Sequence, residues 1–122
     1  FDRLHKALEC VSDKLILPEP AKNSTPSWFG FLITCKEGTS KNTVVQYCED
    51  HGVQTRMLFA GNITKQPVFD EMRKSGKGYR VIGDLSVTDS IMNNTFWIGV
   101  YPGMTDEMID YIAKTIIEAV NL

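Results

Sequence analysis

Stretches of β-branched and aromatic residues alternate with amphipathic stretches along this chain, and that alternation limits the folds open to it. The strand-like stretches are residues 27–35, 53–57 and 95–100, whose composition favours extended backbone. Apolar residues at helical spacing precede, separate and follow them, in the order α-β-α-β-α-α-β-α. This order predicts a single domain of the α/β class, an α+β sandwich of about three strands with helices covering at least one sheet face.

The chain opens on a helical pattern whose apolar face is present from the first residue. The apolar residues recur at steps of three and four, and they are Phe1, Leu4, Leu8 and Val11. No capping residue precedes this pattern. We therefore expect the chain to be a piece of a longer protein, in which residues 1–14 end an inter-domain helix and residues 15–122 form a small domain.

Polar residues mark the starts of three other helices. Residues 38–40 (Gly-Thr-Ser) precede an apolar helical pattern, where a hydroxyl can accept hydrogen bonds from free backbone amides. The last helix is expected to begin at Thr105, with two acidic residues in its first turn. Ser86 and Asp89 have the spacing of a capping box. Gly52 follows the helix that residues 38–40 begin, at a position that favours a left-handed residue.

Charge and composition exclude several functional classes. The 122 residues carry a net charge of −2, with a pI near 5.6, which is unlike the positive charge of nucleic-acid-binding proteins. No apolar run approaches the ~20 residues of a membrane span. The three cysteines, Cys10, Cys35 and Cys48, include no CxxC pair, which favours reduced thiols in a cytoplasmic protein and offers no ligand set for a metal ion.

Five aromatic residues lie in two of the strand-like stretches. They are Trp28, Phe29, Phe31, Phe96 and Trp97. Aromatic rings on a sheet can stack on RNA bases, but recognition of RNA also needs clustered Lys and Arg side chains, and these strands have none. We interpret the five residues as core packing.

A second stretch suggests the recognition of a polar ligand. Arg56 ends a strand-like segment, and its planar guanidinium suits phosphate or sugar oxygens. Gly61 allows close backbone approach, and the amide of Asn62 can both donate and accept. A surface arginine beside an Asx turn would have the same sequence, so both interpretations stay open on these residues alone.

Residues 52–56 (Gly-Val-Gln-Thr-Arg) and 66–69 (Gln-Pro-Val-Phe) resemble the C-terminal portion of the DegT/DnrJ/EryC1/StrS sugar aminotransferases. That family has a Gly-Ile-x-Thr-Arg run followed by a proline and an aromatic residue. The similarity continues through residues 83–91 and through residues 101–105, before the last helix. It extends over essentially the whole chain.

Three segments resemble one branch of that family, the nucleotide-sugar 3-dehydrases. They are residues 27–31, 58–62 and 96–103, and they are most similar to the CDP-4-keto-6-deoxyglucose-3-dehydrases of lipopolysaccharide O-antigen sugar biosynthesis. Sugar aminotransferases usually carry histidines in the first two segments, and this chain has none there.

The resemblance implies a fold-type I enzyme that depends on pyridoxal or pyridoxamine phosphate and works as a homodimer on a nucleotide-linked sugar. This chain corresponds to the small C-terminal domain, so the catalytic residues are expected in an N-terminal cofactor domain outside it. The implied reaction removes the C3 hydroxyl of an NDP-4-keto-6-deoxyhexose; a sugar-nucleotide aminotransferase is the alternative. A free-standing, non-catalytic small-molecule sensor is an alternative of another class. The chain alone is expected to bind no cofactor and to be inactive.

The same resemblance implies substrate-binding roles for four residues. Arg56 would hold the substrate or its phosphate, with Asn62 assisting. Phe29 would form an apolar wall where aminotransferases place a histidine, and Phe59 is a further candidate.

Overall fold

The computed structural model describes all residues from 1 to 122. The helices are α1 (Asp2–Leu8), α2 (Lys41–Asp50), α3 (Asp70–Ser75), α4 (Ser86–Asn94) and α5 (Asp106–Ala119). Single-turn 3₁₀ helices lie at Glu9–Val11, Ile63–Lys65 and Pro67–Phe69. The strands are β1 (Leu15–Ile16), β2 (Phe31–Cys35), β3 (Thr55–Met57) and β4 (Thr95–Ile98).

The four strands form one antiparallel sheet in the order β1-β2-β4-β3. At its centre Phe31 of β2 lies opposite Ile98 of β4, and Thr55 of β3 lies on the other side of Ile98. Because β3 is an edge strand, one side of its backbone lies unpaired along the rim of the sheet, and Arg56 and Met57 are exposed there. The mixed α/β class predicted from the alternating pattern is confirmed.

The core lies between one face of this sheet and helices α1, α2 and α5. Its largest fully buried side chains include Phe31, Phe96, Leu4, Leu8, Leu15, Ile33, Ile98 and Ile116. Residues of β2 alternate between this core and the opposite face, as a period of two requires. No helix combines the length and the hydropathy that a bilayer crossing requires.

The helix α1 is part of this core. Leu4 and Leu8 are buried, and Val11 in the following 3₁₀ turn is buried with them. The helix packs against α5, where Arg3 forms exposed ion pairs with Asp106 and Asp110. The proposed boundary at residue 14 stays a prediction.

The strand count differs from the expected three. Residues 15 and 16 form a fourth strand on the outer edge of β2, with Leu15 opposite Cys35. Two residues are too few to show an alternating pattern, so this strand depends on the partner that pairs with it. The strand expected from residue 27 begins only at Phe31.

The hydroxyl cap predicted within residues 38–40 is confirmed at Ser40, and the last helix begins next to Thr105, as expected. The Ser40 hydroxyl accepts from the Thr43 amide, and the Thr105 hydroxyl accepts from the Met108 amide. Gly52 has a φ of 74° at the end of α2, which is the left-handed conformation expected there.

The predicted capping box at α4 is wrong. The N-cap residue is Leu85, which makes no side-chain cap hydrogen bond. Asp84, one residue earlier, accepts through Oδ1 from the Ser86 amide at 2.9 Å and from the Ser86 hydroxyl at 2.8 Å. Asp89 contacts Asn62 and Lys65 in the loop after β3.

Burial controls the reactivity of the three cysteines. Cys35 and Cys48 are buried, and burial is the main cause that raises the pKa of each thiol to about 11, whereas Cys10 is exposed. Because the thiolate is the reactive form, we expect a maleimide at neutral pH to label Cys10 alone in the folded chain. Mass spectrometry counts the labels, and native labelling of Cys35 or Cys48 would contradict this packing.

Candidate functional site

The sheet face opposite the helical core carries a row of neighbouring side chains. Leu32 of β2 pairs with Trp97 of β4, which pairs in turn with Arg56 of β3. Directly paired residues of adjacent strands project from the same face. Trp97 therefore lies between an aliphatic side chain and a guanidinium on a surface that the core helices leave open.

Two further aromatic rings flank Trp97. The ring centre of Phe29 lies 4.9 Å from that of Trp97, and the ring centre of Phe59 lies 6.2 Å from it at a steep interplanar angle. Phe29 is 81% exposed and Phe59 is 76% exposed. Rings this exposed gain little from burial, so their place on the surface is typical of a binding site. We call Phe29, Arg56, Phe59 and Trp97 the aromatic–arginine patch.

Gly30 allows the Trp97 ring to take this position. A Cβ on Gly30 would lie 2.2 Å from Trp97 Cε3 and 2.7 Å from Cζ3. The indole nitrogen on the other side donates to the Met57 carbonyl at 3.3 Å. The ring therefore packs directly on the backbone of Gly30, and its indole N–H is hydrogen-bonded to the Met57 carbonyl.

Arg56 is exposed at the edge of the sheet, and its guanidinium is partly occupied. One Nη1 hydrogen bond goes to the Thr55 carbonyl at 2.8 Å. The Gln54 amide, oriented with its oxygen toward the guanidinium, accepts from Nη2 at 2.9 Å. A guanidinium has five N–H donors, so donors remain for a ligand.

The strand that carries Arg56 is fastened to α2 by a carboxylate. Glu49 Oε1 accepts from the Thr55 amide at 2.5 Å and from the Thr55 hydroxyl at 2.6 Å. These hydrogen bonds are the main cause that lowers the pKa of Glu49, and the charge of Arg56 lowers it further. Glu49 therefore helps to fix the position of β3.

Asn62 has a different environment from the other three predicted residues. It is 2% exposed, its Nδ2 donates to Asp89 at 2.7 Å, and its Oδ1 accepts from the Thr64 amide and hydroxyl. The side-chain amide is thus occupied within the protein. The structure brings Phe29, Arg56 and Phe59 together around Trp97. Asn62 lies apart from them, buried between its loop and α4.

The interpretation of the five aromatic residues as core packing is correct for two of them and wrong for one. Phe31 and Phe96 are fully buried, Trp28 and Trp97 are half-buried, and Phe29 is exposed. Trp97 was missed as a site residue. Its signal is the alternation in β4, which sets Trp97 on the face opposite to Phe96 and Ile98.

The donor set of the patch does not suit a pyridoxal phosphate on its own. Such a cofactor needs a carboxylate or equivalent partner for its ring nitrogen and several donors for its phosphate. The patch contributes one guanidinium and three aromatic rings. It can cover a ligand and hold one anionic group, and no step of cofactor chemistry is derived from it.

A model of the DegT/DnrJ/EryC1/StrS aminotransferase family matches residues 1–117. The chain belongs to this family. The membership predicted from residues 52–56 and 66–69 is confirmed.

Two curated relatives show how much of a family protein this chain represents. The lipopolysaccharide biosynthesis protein RfbH of Salmonella typhimurium is 46% identical over 116 residues, which cover 93% of this chain and 25% of RfbH. The dTDP-4-dehydro-2,6-dideoxy-D-glucose 3-dehydratase of Saccharopolyspora spinosa is 44% identical over 108 residues, which cover 87% of this chain and 22% of the relative. The chain spans about a quarter of the length of the curated relatives it matches.

Solved structures have the same fold as this family domain. An E. coli GDP-4-keto-6-deoxy-D-mannose-3-dehydratase with bound hydrated PLP matches with a TM-score of 0.75 at 18% identity, over 94% of this chain and 28% of its own. The aminotransferase TlmJ of Streptoalloteichus hindustanus matches with a TM-score of 0.75 at 14% identity, over 98% and 30%. These matches confirm the fold class that the family resemblance implies.

Proposed function

We propose that this chain is the small C-terminal domain of a nucleotide-sugar 3-dehydrase that depends on pyridoxal or pyridoxamine phosphate. The observation that carries the proposal is the 44% identity to a relative named as a dTDP-sugar 3-dehydratase. The 46% identity to RfbH, named for lipopolysaccharide biosynthesis, agrees with it. The substrate would be an NDP-4-keto-6-deoxyhexose, and the protein would work in the cytoplasm.

In this proposal the aromatic–arginine patch faces the substrate. Exposed rings of Phe29, Phe59 and Trp97 offer flat apolar surfaces for the C–H face of a sugar. Arg56 offers a fork of N–H donors for a phosphate or sugar oxygen at the rim. The domain's own contribution is to bind and orient the sugar and to exclude water from it.

The cofactor and the groups that move protons would belong to an N-terminal domain of the same enzyme. When bound, pyridoxamine phosphate supplies an electron sink for the bond-breaking step. The patch lacks the donors to hold that group, which supports its placement on another domain. Homodimer formation is part of the same proposal, and we expect the 122 residues alone to be inactive.

Sugar-nucleotide transamination is the second candidate, because the matching family model carries the aminotransferase description. The two reactions differ at one carbon. Dehydration breaks the C3–O bond and releases the hydroxyl as water, whereas transamination leaves the C3 hydroxyl in place and delivers nitrogen to C4.

Isotope exchange at C3 separates the two reactions. The intact enzyme that contains this chain, loaded with pyridoxamine phosphate, is incubated with a 4-keto-6-deoxyhexose nucleotide in oxygen-labelled water. A dehydrase releases the C3 hydroxyl as water. Reversal of this step adds labelled water at C3, which carbon NMR detects as an isotope shift, whereas product that does not revert has lost its C3 oxygen. An amine at C4 beside an unlabelled C3 hydroxyl would establish the aminotransferase. Substrate recovered with its C3 hydroxyl unlabelled and with no amine at C4 would overturn both.

A further inference from the structure

We infer that Asp89 is a positioning residue, which holds the loop of residues 58–65 in place so that Phe59 stays against Trp97. This inference rests on the proposed function for its activity readout. Asp89 itself lies on α4 and does not belong to the aromatic–arginine patch. It would act through the loop, without touching the substrate.

Asp89 connects the loop to α4 through both carboxylate oxygens. Oδ1 accepts from the buried Asn62 side chain at 2.7 Å, and Oδ2 accepts from Lys65 Nζ at 2.7 Å. Asn62 in turn accepts from the Thr64 amide and hydroxyl, which fixes the turn that follows. The contact to Lys65 is an exposed ion pair, whereas the contact to Asn62 involves a buried side chain. We assign the hold on the loop to the Asn62–Asp89 hydrogen bond and call it the clamp.

Close packing of the loop on α4 accompanies the clamp. Gly61 has a φ of 67°, and a Cβ there would lie 2.8 Å from Met92 Cγ. The backbone N–H of Asn62 donates to Met92 Sδ, with 3.2 Å between the nitrogen and the sulfur. The loop backbone therefore approaches α4 as closely as glycine allows, at a point two residues after Phe59.

Asn62 is also the N-cap residue of the 3₁₀ helix Ile63–Lys65, a role that uses its Oδ1 and leaves its Nδ2 to Asp89. An amide taken out of water costs free energy unless its donors and acceptors are paired, and Asp89 and Thr64 pair those of Asn62. The cluster Asn62–Asp89–Lys65 contributes no group to the open sheet face. The network fixes the loop backbone three residues after Phe59. We infer that its role is to keep the exposed Phe59 ring beside Trp97.

The test compares five proteins in the intact enzyme: wild type, Asp89→Ala, Asn62→Asp, the double variant Asn62→Asp with Asp89→Asn (the exchange), and the control Lys65→Met. Asp89→Ala removes the acceptor, and Asn62→Asp sets two carboxylates against each other. The exchange restores the hydrogen bond with its direction reversed, and Lys65 and Thr64 keep their acceptors. Lys65→Met is the matched control, because it removes the exposed ion pair and keeps the clamp.

We expect the two single clamp variants to raise KM for the nucleotide sugar roughly 10-fold, with little change in kcat. The exchange should return KM to within about 3-fold of wild type, and Lys65→Met should stay near wild type. Hydrogen exchange should rise in residues 58–62 of Asp89→Ala and stay unchanged in α5, which separates loop release from general loss of stability.

The pH dependence of unfolding tests whether the charged form of Asp89 stabilises the fold. The hydrogen bond from Lys65, then that from Asn62, lowers the pKa of Asp89. The negative charge of Asp89 in turn opposes the lowering of the pKa of Asp84. A lowered carboxyl pKa means that the stabilisation is present above the ordinary value near 3.8 and is lost as the pH falls through the folded value. The stability difference between wild type and Asp89→Ala should therefore shrink in acid.

Three results would overturn the inference: an unchanged KM in Asp89→Ala, no recovery in the exchange variant, or a Lys65→Met variant as impaired as Asp89→Ala. Failure of the proposed function is a different outcome, because wild type itself would then show neither C3 exchange nor amine transfer. A variant that does not fold is identified by circular dichroism, and the exchange variant then decides.

Discussion

Substitution of Gly30 by alanine should destabilise the domain by about 1–3 kcal/mol, the usual cost of forcing a methyl group into a packed site. The new Cβ would lie 2.2 Å from Trp97 Cε3 and 3.2 Å from the Ile98 carbonyl. The ring has to move, and it then loses its hydrogen bond to the Met57 carbonyl. Thermal unfolding of the 122-residue chain measures the stability.

Gly99→Ala is the matched control for this experiment. Gly99 directly follows β4, and a Cβ there meets no atom within 4 Å. Neither glycine has a positive φ, so alanine fits the backbone at both sites. Gly99→Ala should be neutral or stabilise the fold by about 0.4–1 kcal/mol, because alanine restricts the unfolded chain. Equal stabilities of the two variants would contradict the packing of Trp97 on Gly30.

Gly30→Ala should also change the geometry of the aromatic–arginine patch. Displacement of Trp97 moves the ring that Phe29 and Phe59 contact. The tryptophan fluorescence of a Trp28→Phe background then reports Trp97 alone. A shifted emission in Gly30→Ala and an unshifted one in Gly99→Ala would locate the change at the patch.

The class of the fold could be predicted because it depends on local patterns. Apolar residues at helical spacing identified α2 and α5, and the residues 38–40 and 105–107 identified their starts. The two-residue strand β1 escaped prediction, since its extended state depends on pairing with β2 and leaves no signal in its own residues. The start of α4 was not predicted correctly, because the carboxylate of Asp89 accepts from Asn62 and Lys65, and Asp84 accepts from the Ser86 amide.

The candidate site was predictable in part for a related reason. Arg56 and Phe29 could be named from residue type and family resemblance, but their shared neighbour Trp97 depends on the pairing of β2, β3 and β4. Asn62 has the chemistry of a ligand contact, and only the packing of α4 against the loop uses up its amide. Residue type indicates what a side chain can do, and long-range contacts decide which partner it has.

Substitution of Arg56 by alanine should reduce kcat/KM for the nucleotide sugar by about 10- to 150-fold in the intact enzyme. This range corresponds to the roughly 1.5–3 kcal/mol of one hydrogen-bonded charged contact. Stability should change little, because Arg56 is exposed and bonds only to the Thr55 carbonyl and the Gln54 amide. Steady-state kinetics and thermal unfolding of the same preparations separate the two effects.

Arg56→Lys and Arg3→Ala complete this experiment. Lysine keeps the positive charge and loses the planar arrangement of N–H donors. The kcat/KM of Arg56→Lys should therefore lie between those of wild type and Arg56→Ala. Arg3 is an exposed arginine on the helical side of the sheet, paired with Asp106 and Asp110, and its removal should leave kcat/KM unchanged. If Arg56→Ala retained full kcat/KM, the open face of the sheet would not be the substrate side, since this guanidinium is the cation that the patch presents to a phosphate.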